Sequence, residues 1–129
     1  MARIFVMIYP WSKEHAAEIF KRLDACGRQV KNGVIPQLDE KSLRAQYAHN
    51  SHKSFFEGVI ADFVRDGQQI PIAEYDGNLI LFANMKETLR KEFRPNPPLG
   101  DKHFNDVMHT SRTEEEAARE LELWKKYLQ

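Results

Sequence analysis

At 129 residues the chain is long enough for one domain with a single core and too short for two. Its 19 basic and 19 acidic side chains cancel, so no cationic surplus exists to hold a nucleic-acid backbone. Cys26 is the only cysteine, which excludes an internal disulfide and makes a reducing cytoplasm the expected setting. No apolar run approaches the roughly 18 residues of a membrane span.

Residues 3–9 are rich in β-branched and aromatic side chains and stop at Pro10-Trp11-Ser12, the pattern of a central strand. The segment is too short for a secretory signal, and an amphipathic stretch follows it where a cleavage site would be needed. Ser12 is the expected N-cap of a helix over 13–25, with Ala16, Ile19, Phe20 and Leu23 on one stripe and Gly27 closing it. Residues 28–35 alternate weakly up to Pro36 and read as a second strand. A short helix is expected over 39–49, where Leu43 and Tyr47 are four apart. A stronger one is expected over 53–65, with Phe56, Val59, Ile60 and Phe63 as its buried stripe and Phe55 to one side.

Two apolar segments follow, 70–74 and 79–82, and the Asp76-Gly77 step between them predicts a hairpin. Residues 85–93 read as helix, and the proline-rich stretch 94–100 as a surface loop. A short strand is expected over 104–109. Thr113-Glu114-Glu115-Glu116 then has the form of a capping box opening a last helix, whose core positions are Ala117, Leu121, Trp124 and Leu128. Strands and helices alternate without an internal repeat, which predicts one sheet with helices packed on it.

The chemistry concentrates in Asp106-Val107-Met108-His109-Thr110-Ser111, followed eleven residues later by Glu120. A histidine flanked by apolar residues, with small hydroxyls after it and a carboxylate able to reach back, suits a nucleophile. One ring nitrogen is fixed while the other stays free. A hydrogen-bonded structural histidine is the plainer alternative. His103 lies six residues before His109, but no cysteine or third ligand accompanies the pair, so no metal centre is expected there.

These residues resemble the nucleoside diphosphate kinase family, in ordered spacings running from Phe5 to Trp124. Tyr9-Pro10 resembles a strand end that reads Lys-Pro in the family. Leu43, Tyr47 and Phe55-Phe56-x-Gly58 are similar to its short helix and nucleotide-clamping helix. Arg90, Pro95, Asn96 and Pro98 resemble its Arg-x-x-x-Gly-Pro-Thr-x-Pro segment, and the stretch around His109 its Asn-x-x-His-Gly-Ser, with Glu120 and Trp124 in register. The resemblance implies a single α+β domain over 1–129 with a ferredoxin-like βαββαβ antiparallel sheet.

It also implies transfer of the γ-phosphoryl of a nucleoside triphosphate to a nucleoside diphosphate through phosphohistidine at His109, with Mg²⁺ accompanying the nucleotide. Glu120 orients the imidazole and Tyr47 borders it; Phe55 and Val59 stack on the base; Arg90, Asn96, Tyr9 and Asp106 lie along the nucleotide. A homo-oligomer, with a dimer favoured, follows from the same resemblance, with no nucleic-acid or membrane partner. The chain departs from the family pattern in placing Tyr9 for lysine, Asp106 for asparagine, Thr110 for glycine and Arg112 for aspartate. Its loop before Asp106 is about eleven residues short, judged by the same spacing. Reduced activity is therefore expected. A catalytically lapsed nucleotide-binding or protein-interaction module, or a scaffold without a nucleotide site, are the alternatives.

Overall fold

The structure is a computed structural model that describes residues 1–48, 51–52, 56–94 and 106–129. Its first strand, β1 (Ala2–Ile8), is apolar from Ile4 onward because both its faces are covered: Ile4 to Ile8 are at most 1% exposed. Successive side chains leave opposite faces of a strand. Phe5, Met7 and Tyr9 accordingly enter one core layer, and Ile4, Val6 and Ile8 enter the other.

A 3₁₀ helix (Pro10–His15) leads into α1 (Ala16–Asp24), then β2 (Gly27–Gln37), α2 (Glu40–Gln46), α3 (Phe56–Asp66), β3 (Gln68–Gly77), α4 (Leu79–Phe93), β4 (Met108–Thr110) and α5 (Glu114–Trp124). The sheet order is β2-β3-β1-β4, with every neighbouring pair antiparallel. That is the βαββαβ arrangement of a ferredoxin-like α+β fold, with α2 and α3 placed between the second and third strands and α5 added after the fourth. Leu43 of α2, Phe56, Val59, Ile60 and Phe63 of α3, and Trp124 of α5 close the face bearing Phe5 and Met7. Ile19 and Leu23 of α1 with Phe82 and Leu89 of α4 close the other. Arg22 ties those two helices together, donating to both carboxylate oxygens of Glu92 at 2.7 and 2.9 Å.

Several expectations are corrected. No hairpin turns at Asp76-Gly77: β3 runs on through Gly77, and 79–82 is the first turn of α4, not a strand. Asn78 sets that boundary, its side-chain oxygen accepting from the backbone N–H groups of Ile80 and Leu81. Of the two segments, 70–74 is the sheet strand. Ser12 caps no helix, because the chain first makes a 3₁₀ turn and α1 begins only at Ala16. Gly27 lies in β2, where it admits close approach: a Cβ there would stand 2.7 Å from the Asp76 carbonyl. Pro36 falls inside β2, as an edge strand permits. The helix expected over 39–49 ends at Gln46.

After α5 a 3₁₀ turn (Lys125–Tyr127) brings the chain back to the sheet edge. There Leu128 forms a bridge with Gly33, and the Gln129 N–H donates to the Asn32 carbonyl at 3.0 Å.

Candidate active site

The register of β4 against β1 sets His109 opposite Met7, so its ring projects into the layer made by α2, α3 and α5. The carboxylate that meets it comes from α5. Thr113 caps that helix by accepting from the Glu116 N–H at 3.1 Å, and Glu114, Glu115 and Glu116 occupy its positive end. Glu116 does not close the box back onto Thr113; its carboxylate accepts from the Arg112 N–H instead, at 3.3 Å. Two turns into the helix Glu120 faces the sheet, completely buried, with Oε2 2.6 Å from His109 Nε2. Its Oε1 accepts from the Ser111 hydroxyl at 2.8 Å, and Ser111 Oγ accepts from the Phe5 N–H at 3.0 Å.

An unbroken chain of hydrogen bonds therefore runs from the β1 backbone through Ser111 and Glu120 to the imidazole. A carboxylate can only accept. With Glu120 as the acceptor, Nε2 is the ring nitrogen engaged by the carboxylate, and Nδ1 is the one left for other chemistry. The His109 side chain retains 9% of its exposure.

Aromatic rings make the walls. Tyr47 presents its edge to the His109 ring, with centroids 5.8 Å apart, and its hydroxyl donates to the Tyr9 hydroxyl at 3.4 Å. Tyr9 leans on Trp11 and Phe63, which stack on each other at 5.5 Å. Burial, reinforced by the neighbouring Tyr47 and Asp106, holds the Tyr9 phenol well above its ordinary range, and burial raises Tyr47 likewise. Both are neutral hydroxyls at physiological pH: they offer hydrogen bonds but no charge.

Asp106 anchors the approach to β4. Its carbonyl accepts from Trp11 Nε1 at 2.7 Å, its Oδ2 lies 3.6 Å from Lys86 Nζ, and its buried Oδ1 has no hydrogen-bond partner among the described residues.

Among the sequence-predicted residues, the fold thus brings together His109, Glu120, Tyr47, Tyr9 and Asp106. Val59 belongs to the same layer but is packed in its core, 9% exposed. Arg90 lies on α4, whose core side faces the opposite sheet surface, and its guanidinium is paired with Glu87 at 2.7 Å. Phe55 and Asn96 lie outside the described residues, as does His103.

The chain is similar at full length to curated proteins. It is 28% identical to a nucleoside diphosphate kinase of Exiguobacterium sibiricum, covering 96% of this chain and 94% of that one. It is 30% identical to a nucleoside diphosphate kinase of Listeria monocytogenes, covering 96% and 88%. The chain belongs to the nucleoside diphosphate kinase family. Its backbone agrees: a nucleoside diphosphate kinase family protein from Babesia bovis, 21% identical, superposes with a TM-score of 0.69 over 100% of this chain and 93% of that one. No family model matches the chain.

For a nucleoside diphosphate kinase family member, three neighbours of the site escaped the sequence reading. Gln46 is completely buried and accepts from Trp124 Nε1 at 2.5 Å, locking α2 to α5 behind His109. A glutamine between Leu43 and Tyr47 on an apolar stripe was its only signal. Lys86, on α4, looks like an ordinary solvated helix charge, and Glu116, one turn before Glu120, reads only as the end of the capping box; the fold places both here. No helix among the described residues is long and apolar enough to cross a membrane.

Proposed function

We propose that the chain transfers the γ-phosphoryl group of a nucleoside triphosphate to a nucleoside diphosphate through a phosphohistidine at His109. The observation that carries this reading is the buried Ser111–Glu120–His109 chain, which commits Nε2 and leaves Nδ1 nucleophilic. The Nδ1 lone pair attacks the γ-phosphorus, and the bond to the β,γ-bridging oxygen breaks, releasing the diphosphate. The positive charge left on the ring is stabilised by Glu120. In the second half a terminal β-phosphate oxygen of another diphosphate attacks, and the P–N electrons return to Nδ1.

By the family resemblance Tyr47 would border the imidazole, Tyr9 the phosphates, and Phe55 and Val59 the base. Asp106, Arg90 and Asn96 would complete the nucleotide contacts, Arg90 after exchanging its Glu87 partner. Magnesium fits the donors present. The unpartnered Oδ1 of Asp106 is a carboxylate oxygen of the kind that holds Mg²⁺ beside phosphates, and the ion would neutralise phosphoryl charge when bound. A cytoplasmic dimer, assembled through α1 and the edge strand β2, belongs to the same proposal.

The test is labelling with γ-labelled ATP and magnesium. Wild type should acquire an acid-labile, alkali-stable label that His109→Ala lacks. A folded wild type that stays unlabelled at millimolar nucleotide refutes the phosphohistidine route.

A second reading is favoured by Tyr9. Where the family pattern has a lysine, this chain has an uncharged phenol, and losing one preorganised donor of that kind costs about 2.7–4 kcal/mol, or roughly 10²–10³ in rate. On that reading the chain is a lapsed member that binds nucleotide without turnover. Thermal stabilisation by Mg-ADP in the absence of label distinguishes it.

A further inference from the structure

We propose that His109, Glu116 and Glu120 form a binding site for one divalent ion of the zinc class. One donor atom from each residue lies within 4.8 Å of the other two. The arrangement is more than a set of surface acids. His109 and Glu120 are 7% and 0% exposed, and the Glu116 side chain keeps 11%. Glu116 and Glu120 stand one turn apart on α5, and His109 faces them from β4, so two rigid elements supply the three ligands.

The supporting shell is present. Ser111 fixes Oε1 of Glu120, leaving Oε2 for a metal. The backbone N–H and guanidinium of Arg112 approach the Glu116 carboxylate at 3.3 and 3.4 Å. Arg112 is largely exposed, so its charge is screened and offsets little of the buried negative pair.

A buried carboxylate requires a positive partner. In the metal-free chain Glu120 Oε2 meets the His109 ring nitrogen, at 2.6 Å; a zinc ion between them would supply the positive charge. Zinc–nitrogen and zinc–oxygen bonds of about 2.0–2.2 Å in a tetrahedron separate the ligand atoms by about 3.3 Å. The 2.6 Å contact must therefore open by about 0.7 Å, and Glu116, a flexible side chain at the rim, swings in to close the third side. Three protein ligands leave a fourth position for water. One imidazole with two carboxylates suits zinc, cobalt or nickel, whereas magnesium prefers oxygen alone. No third ligand accompanies His103 and His109 in the sequence; the α5 register instead gives His109 two carboxylates. Occupation replaces the Nε2–Glu120 contact that orients the ring for the proposed phosphoryl transfer, so the ion opposes that reaction.

The experiment is calorimetric titration of chelator-treated chain with zinc chloride, repeated with cobalt while following its visible absorption. Wild type should bind one ion with the intense visible band of a tetrahedral cobalt site. Glu116→Gln should keep the wild-type circular dichroism, weaken binding by about tenfold or more and lose the band, and His109→Gln should abolish it. Equal zinc affinity in wild type and Glu116→Gln, or a cobalt band that survives His109→Gln, overturns the proposal. Histidine labelling is measured separately, so an unlabelled chain sinks the kinase reading without touching this one.

Discussion

Ser111→Ala tests the hydrogen-bond chain behind the imidazole. The substitution removes one hydroxyl and strands two buried groups: the Phe5 N–H, which loses its 3.0 Å acceptor, and Glu120 Oε1, which loses its 2.8 Å donor. An unsatisfied buried neutral donor costs about 1–3 kcal/mol, and a hydrogen bond to a charged group is worth about 1.5–3 kcal/mol. The sum is reduced by side-chain relaxation, which gives a loss on the order of 3 kcal/mol.

Urea unfolding followed by tryptophan fluorescence reads it, since Trp124 is fully buried. With a slope of about 1–3 kcal/mol per molar, the midpoint should fall by about 1–3 M at unchanged slope. The double variant Ser111→Ala/Glu120→Gln closes a mutant cycle and should show coupling above about 0.5 kcal/mol. A midpoint shift under about 0.3 M, or additivity within the error, would refute the claim that Ser111 holds Glu120.

Three further outcomes follow from other parts of the chain. Tyr9→Lys should raise the histidine-labelling rate on the order of 10²-fold while lowering stability, because a cation enters the layer formed by Trp11 and Phe63; a slower rate in folded variant would exclude charge deficiency as the limit. Hydrogen bonds from Arg44 hold the Glu57 carboxyl below its usual range, a contribution present above the unfolded pKa and lost as pH falls through the folded one. Arg44→Met should therefore flatten the acid limb of the stability curve below about pH 5, measured by urea midpoints against pH. Burial raises the Cys26 thiol, so iodoacetamide should alkylate it slowly at pH 8 and much faster in urea; equal rates would show an open thiol.

How far the sequence discloses this fold depends on the range of the forces involved. The stripe Phe56, Val59, Ile60 and Phe63 is legible because a helical period repeats within a few residues and all four are buried as expected. The His109–Glu120 pairing is legible through family spacing, since β4 and α5 are joined by a short, capped turn. The hairpin is misread because a four-residue apolar run has no period long enough to separate strand from helix. Asp-Gly there is real punctuation with another meaning. A Cβ on Gly77 would meet the Phe82 ring at 2.7 Å, so the glycine makes room for α4 instead of turning a ribbon. Gln46 and Lys86 are illegible for a different reason: their partners Trp124 and Asp106 lie on other parts of the chain, and no local pattern encodes them. Arg90 shows the converse, since its spacing fits the family pattern while its guanidinium is held by Glu87.

The return of the chain terminus to Gly33 bears on how the molecule can be handled. The Tyr127 carbonyl sits 1.7 Å from where a Cβ on Gly33 would be, so that glycine is a keyhole through which the tail latches on to the outer rim of the sheet. Anything fused beyond Gln129 is delivered to that rim, beside Asn32 and Gly33 of β2. A purification handle before Met1, 89% exposed, starts from solvent instead.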